Sequence, residues 1–290
     1  MTPASRLSRI DPRLYQIATL SGLLVFGVVR LEFDVSLLGA GAILSAALLT
    51  QLVCTRLSGL PTFDPKSPLI SALSLMLLLR SDSAMVLAAA AVLTIASKFV
   101  LRWNGKHLFN PTNFGLVVML IVGAGWASPG QWGSAATFGF LIACLGGLVV
   151  NRAARSDVTY AFLASYAGLL FARALWLGQP FAIPLHQLQN GAFLIFTFFM
   201  ISDPRTTPDS RLGRTLFAFL VAAVAVFIQF GLHRTNGLLW SLAVMALAVP
   251  LIDRLLPGDR HQWARSSAPT PPAQEPIPAG AFALRHRSHP

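Results

Sequence analysis

Asp203 closes an aromatic run of Phe193, Phe196, Phe198 and Phe199, and Pro204, Arg205, Thr206, Thr207 and Pro208 follow it. A carboxylate at the edge of so apolar a stretch has two uses. It coordinates an ion, or it caps a turn and pairs with Arg205 or Arg214. Pro204 has no N–H to donate, so the chain turns there. Asn110-Pro111-Thr112-Asn113 offers a second kind of chemistry. Pro111 suits the first turn of a helix, where its missing N–H costs nothing, and Asn110 before it reads as the N-cap. The positive end of that helix is either satisfied by its cap or turned to an anion, a phosphate or a substrate carbonyl, with Lys106 and His107 nearby. Asp253 reads as a boundary ion pair, with Arg254 or another basic residue as partner. His107, His186 and His233 have no spacing that suits haem or a metal. There is no Gly-rich phosphate loop, nucleophile elbow or Cys-x-x-Cys, so no autonomous catalytic site is visible.

The elements that hold these residues follow from composition. Of 290 residues, 54% are apolar and 11% charged, where a soluble domain carries about 25% charge. The mean hydropathy is +0.64. A soluble enzyme, a disordered chain and a nucleic-acid binder are excluded, the last despite a net charge of +11. Cys54 and Cys144 both fall in apolar runs and have no loop to staple. Apolar runs give ten candidate spans: 14–30, 35–56, 67–80, 83–101, 112–126, 134–151, 157–177, 186–202, 214–231 and 237–254. With the N-terminus in the cytoplasm, all but Arg30, Arg80, Arg173 and Arg234 of the 22 basic residues fall on the cytoplasmic side. That asymmetry sets orientation and count: a multi-pass membrane protein with both termini cytoplasmic. Residues 1–13 are a basic flank without a cleavage site, and 257–290 a Pro-, Ala- and Ser-rich basic tail without apolar mass for a core.

Two spans are short. Leu69–Leu79 follows a stretch with three prolines, Pro61, Pro65 and Pro68; Gly191–Ile201 follows Pro180, Pro184 and a polar run, His186 to Asn190. Ser81-Asp82 ends the first and Ser202-Asp203 the second, 121 positions later; Thr112-Asn113 is echoed by Thr235-Asn236 after 123. Five spans per half is an odd number, so halves 14–126 and 134–256 run inverted, with Asp82 outside and Asp203 inside. Inverted repeats with interrupted helices are the pattern of carriers and channels, and non-helical backbone at membrane depth needs a protein or water-filled lining. The interrupted stretches 58–68 and 180–190 are therefore expected to line a cavity between the halves. The pore candidates are Asp82, Asn110, Thr112, Asn113, Asp203, Thr206, Arg214 and Asn236.

Several motifs occur in a fixed order: Asp64-Pro65-Lys66-Ser67-Pro68-Leu69-Ile70, then Lys106-His107-Leu108-Phe109-Asn110-Pro111, then Phe199 to Pro204 with Thr206 and Gly213-Arg214, then Pro250 to Asp253. With them, residues 35–256 resemble the RnfD/NqrB family of membrane subunits, which belong to ion-pumping electron-transfer complexes. The resemblance implies an all-α fold of ten helices in two inverted halves of five, similar to urea-transporter-like channels. It also implies a place in the bacterial inner membrane, other membrane or periplasmic redox subunits as partners, and FMN or riboflavin as cofactor. In the family, FMN is esterified to a threonine in a long outer loop between spans 5 and 6. Here that loop is only about 127–133. Ser134-Ala135-Ala136-Thr137 shares the Ser-x-Ala-Thr pattern but lacks the preceding Asp-Gly, so flavin attachment at Thr137 is not expected. The chain is most similar to the short branch without the flavin loop, which includes UnbU-like proteins of enediyne gene clusters.

Three functions of different classes follow. The first is a membrane subunit of a redox-driven ion-transport system, implied by the resemblance, and it is the one adopted. The second is a stand-alone channel or permease for a small solute or ion. The third is a membrane scaffold of a biosynthetic or export assembly.

Overall fold

The computed structural model describes residues 11–128 and 156–259. Its helices start where capping residues stand. Asp11 caps α1 (Pro12–Arg30), Ser36 caps α2 (Leu37–Leu57), and Pro65 precedes α3 (Lys66–Leu78). Ser83 caps α4 (Ala84–Val100) and Asn110 caps α5 (Pro111–Ile121). Each side-chain cap satisfies an amide that the first turn leaves without an intrahelical partner. Two short antiparallel ladders tie loops together: β1 (Leu79–Arg80) with β4 (Trp126–Ala127), and β2 (Arg102–Trp103) with β3 (Lys106–His107). The second ladder turns through Asn104 and Gly105, both at positive φ (48° and 79°). That is the two-residue turn whose twist matches a hairpin, and Asn-Gly is the pair that favours it.

After the undescribed segment come α6 (Ser156–Trp176), α7 (Ala182–Leu188) and α8 (Gly191–Ile195), which runs on as a π turn over Phe196–Met200. Next is α9 (Arg211–Val226), continued by a second π turn, Phe227–Gly231. Last come α10 (Gly237–Ala246) and α11 (Val249–Leu255), bent by 51°. Among the described residues four helices are long and apolar enough to cross a membrane: α1, α2, α6 and α9 with its π turn. A fifth is added if α10 and α11 count as one span. This is an all-α membrane protein.

Helix length and burial run opposite ways. The long helices bury only 22–39% of their most apolar windows, and Val25, Val29, Leu49, Val53 and Phe219 stand exposed along them. The short ones form the core. In α3, Ala72 and Leu75–Leu78 are buried, and every residue from Phe193 to Ile201 is buried. A short helix leaves non-helical backbone at its ends, which lipid cannot satisfy but surrounding protein can. Packing follows a shared order in the two parts: α2 lies against α4 and α4 against α5, while α6 lies against α9 and α9 against α10. α5 and α10 meet each other. Close approach depends on two glycines. A Cβ on Gly115 would collide with Thr94 Oγ1, and one on Gly237 would lie 2.7 Å from the Ala225 carbonyl. The expected span 134–151, with Thr137 and Cys144, lies outside the described residues.

Candidate functional site

The polar residues sort to two ends of the helices, and one line of asparagines runs between them. At the first end, the Asn-Gly hairpin presents Lys106, whose Nζ donates to Asp209 Oδ1 at 2.9 Å and Asp253 Oδ2 at 2.7 Å. All three side chains are only 11–20% exposed. Asp253 Oδ1 also accepts the Asp209 N–H at 2.8 Å. Asp253 thus pairs with a lysine 147 positions away, and its neighbour Arg254 points to solvent. Arg214 is buried; its Nε donates to Asp157 Oδ2 at 2.7 Å and its Nη1 to the Asp209 carbonyl at 2.6 Å. It pins the start of α9 to the start of α6.

Asp203 itself closes a turn. Its carbonyl accepts the amides of Thr206 and Thr207, and its Oδ1 accepts the Arg205 N–H at 3.0 Å. Thr206 and Thr207 are buried, and Thr206 Oγ1 donates to the Asp203 carbonyl at 3.3 Å. Arg205 Nη1 lies 3.4 Å from His107 Nε2. Burial first, and the charges of Arg205, Arg102 and Lys98 next, pull the His107 imidazole down to about 3. A neutral ring accepts at Nε2, which suits the facing guanidinium. Lys98 is buried on α4 and donates to Gln51 Oε1 at 2.8 Å and Ser67 Oγ at 3.0 Å. Nearby, Arg13 bridges Asp11 and Asp64 at 2.7 and 2.6 Å, and Lys66 reaches Asp11 at 3.0 Å. Burial raises both carboxyls. Hydrogen bonds and charge from Arg13 and Lys66 outweigh it and hold both below the usual carboxylate range.

The opposite end carries Arg80, Trp126, Arg173 and Arg234. Buried Arg80 donates to the carbonyls of Met76, Leu77 and Leu79, closing the C-terminus of α3. Its neighbour Asp82 is exposed at the lip of a small cavity of about 220 Å³ that Asp34, Ser36 and Trp126 share. Beside it opens a larger cavity of about 830 Å³. Trp126, Tyr166, Phe193, Phe196 and Phe230 supply aromatic walls. Arg173, His233 and Arg234, with Gln187, Asn190 and Gln229, supply the polar part. Asn236 lines it too, in the left-handed conformation (φ 60°) that lets α10 start there.

The asparagines of α5 connect this cavity to the turn at Asp203. Asn110 Oδ1 accepts the Asn113 N–H at 3.0 Å, the cap expected from the sequence, while its Nδ2 donates to the Met200 carbonyl at 3.2 Å. Asn113 Nδ2 donates to the Leu239 carbonyl at 3.1 Å. Met200 and Leu239 both line the larger cavity. Asn113 is 1% exposed, and its Oδ1 has no hydrogen-bond partner among the described residues. A buried oxygen in that state is an acceptor held ready for a donor or a cation. Thr112 is buried beside it in the first turn of α5.

The eight pore candidates therefore do not form one cluster. Asn110, Asn113, Thr206 and Asp203 gather where α5 meets the turn after Met200; Arg214 is bound into the ion pairs nearby; Asp82 and Asn236 lie at the opposite end. The interrupted stretches differ as well. Gln187 and Asn190 line the larger cavity. Residues 58–68 add nothing to its described lining and are held at the first end through Asp64 and Lys66. The reason is geometric: α3 starts at one end and α8 at the other. Reading the sequence missed Lys98, Asp157, Asp209 and the cavity arginines. Asn104-Gly105 was the one local signal available, since it announces the hairpin that projects Lys106. The others meet only through long-range packing.

Comparison with known proteins bears on the same region. The sequence model of the NQR2, RnfD, RnfE family matches residues 122–260. That segment is similar to the family. Among curated relatives, the RnfD subunit of the ion-translocating oxidoreductase complex of Erwinia tasmaniensis is 33% identical over 150 residues, 50% of this chain and 38% of its own length. The subunit of the same name from Alcanivorax borkumensis is 34% identical over 113 residues, 38% of this chain and 32% of its own. That from Escherichia coli O1:K1 is 30% identical over 139 residues, 46% of this chain and 36% of its own. The chain thus spans well under half the length of these relatives. The matched segment holds Asp157, Asp203, Arg214 and Asn236, together with α6 to α11.

Proposed function

We propose that the protein is an RnfD-like membrane subunit of an ion-translocating oxidoreductase complex, and that it is built as two inverted halves of five crossings each. The relatives' names supply the complex. The observation that carries the reading is the pair of asparagine bonds, Asn110 to Met200 and Asn113 to Leu239, which join α5 to α8 and α10 beneath the 830 Å³ cavity. In an inverted pair of halves, the interrupted spans meet in the middle of the bilayer and frame the transported species. The shared packing order, the central position of the two short helices and the sorting of Asp82 and Asp203 to different ends support this arrangement. By the bias of basic residues, the end with Lys106 and Arg214 is cytoplasmic and the end with Trp126 and Arg234 faces outward. A cation passing between the halves would meet Asn113 Oδ1 below the cavity and the Asp203 turn beyond it.

The family resemblance implies FMN or riboflavin. Thr137 lies outside the described residues, so the test falls on the cavity. Its volume is within the roughly 300–1,000 Å³ of ligand pockets. Its aromatic walls suit a planar ring, and arginines stand at its polar part. These residues fit a flavin. When bound, a flavin would supply one- and two-electron transfer, and Phe193, Phe196 and Phe230 would hold its ring.

The test is purification of the tagged full-length protein from native membranes. Copurification of other membrane subunits or of a periplasmic redox partner is the expected result. A stable, colourless homo-oligomer without partners overturns the reading. In that case, ion or solute flux through liposomes holding this chain alone, lost on Asp203→Asn, would favour the permease.

A further inference from the structure

The outward cavity is electrostatically one-sided. Its described lining holds Arg173, Arg234 and His233 but no aspartate or glutamate. Arg173 lies 4.0 Å over the Phe230 ring and donates to the neutral Gln179 Oε1 at 3.1 Å. Neither arginine has a carboxylate within salt-bridge distance among the described residues, whereas Lys66, Lys106 and Arg214 at the other end all do. Two unneutralised guanidiniums beside an apolar wall attract an anion, and the wall's low dielectric strengthens that attraction. The backbone adds to it. The first turn of α10, Gly237–Leu239, lines the cavity, and the Asn236 side chain makes no cap bond to it. The positive end of a ten-residue helix thus points at the same space.

The walls are built with unusual backbone. Both π turns reach this cavity: Phe196 and Met200 come from one, Gln229 and Phe230 from the other. A π turn inserts an extra residue into a helix and is frequent at functional sites. Here the two turns swing an aromatic face and an amide into one chamber, and Tyr166 Oη donates to Gln229 Oε1 at 2.9 Å to fix the latter.

We propose that this cavity binds a planar aromatic ligand carrying a phosphate, without a covalent bond, and that Arg173 and Arg234 are the residues that select the phosphorylated form. The choice of a flavin as the ring rests on the RnfD-like reading; the selection for an anionic tail rests on the cavity alone.

The experiment uses the full-length protein in phosphatidylcholine nanodiscs, titrated separately with FMN and riboflavin, with quenching of flavin fluorescence as readout. The two probes share a ring and differ by the phosphate. FMN is expected to bind about 10- to 100-fold tighter, the gain that one or two charge-assisted hydrogen bonds supply. The paired substitution Arg173→Gln with Arg234→Gln should erase that preference, and a cooperative melting transition of the variant shows that it is folded. Thr137→Ala should change neither affinity, and detergent denaturation should release all the flavin. Equal affinity for the two probes, no saturable quenching by either, a preference that survives the paired substitution, or flavin retained after denaturation would each overturn the proposal. Partner copurification is a separate measurement, so failure here with partners still present removes this site and not the subunit assignment.

Discussion

Lys106 offers a demanding test of the long-range packing. Its ammonium pairs with both Asp209 and Asp253, at 2.9 and 2.7 Å, and the three side chains are 14, 11 and 20% exposed. Lys106→Met removes the cation and leaves two carboxylates facing each other in a partly dry pocket. Removing one partner of a fully buried pair costs about 3–5 kcal/mol, and an exposed pair is worth about 0–1 kcal/mol. At this burial about 2–4 kcal/mol is expected. For a chain of this size that lowers Tm by roughly 4–16 °C. Thermal unfolding of the purified protein in mild detergent measures it. Adding Asp253→Asn to Lys106→Met should recover part of the loss, because it ends the carboxylate repulsion while Asn still accepts the Asp209 N–H. Arg254→Met, beside Asp253 but turned to solvent, should leave Tm unchanged. The reasoning fails if Lys106→Met melts within about 2 °C of the wild type, or if Asp253→Asn deepens its defect.

Gly115→Ala should destabilise strongly, since the new Cβ would collide with Thr94 Oγ1; Thr94→Ala should rescue it in part, and a Tm for the double variant no higher than for Gly115→Ala would count against this contact. His107 is pulled down from about 6.5 to about 3 in the folded protein, so the unfolded chain binds more protons between those values. Stability is then full above about pH 6.5 and falls as pH drops toward about 3. His107→Gln should flatten that decline in a pH series of melting curves, and an unchanged slope would refute the assignment. Reporters fused beside Asp82 and beside Asp203 should report opposite compartments; the same compartment for both would end the inverted-repeat reading.

The positions of the helices are legible in the sequence alone. The expected span 35–56 corresponds to Leu37–Leu57, 83–101 to Ala84–Val100, and 157–177 to Ser156–Trp176. Apolar length and a capping residue are local properties, so a single stretch of sequence carries them. The Asn110 cap is legible for the same reason, because its bond spans three residues. The end of span 5 is not: the apolar run continues to Trp126, yet α5 stops at Ile121 and Gly123 takes a positive φ of 65° so that Trp126 can pair with Arg80. That stop is set by a strand partner 46 positions away.

By itself the sequence determined that this is an all-α membrane chain, where its apolar runs and breaks fall, and which residues are exceptional in an apolar setting. Only tertiary structure decided what those residues meet. Asp253 found Lys106 across 147 positions, Arg214 found Asp157 across 57, and Asn110 found the Met200 carbonyl across 90. It also decided that helix hydrogen bonds slip to the π pattern at Phe196 and Phe227, and that three arginine and histidine side chains share one cavity with no acid among its described lining. The physical reason is that a cap or an apolar run is fixed by neighbours in the chain. An ion pair, a cavity or a strained turn is fixed by which surfaces remain to be covered once the helices have packed.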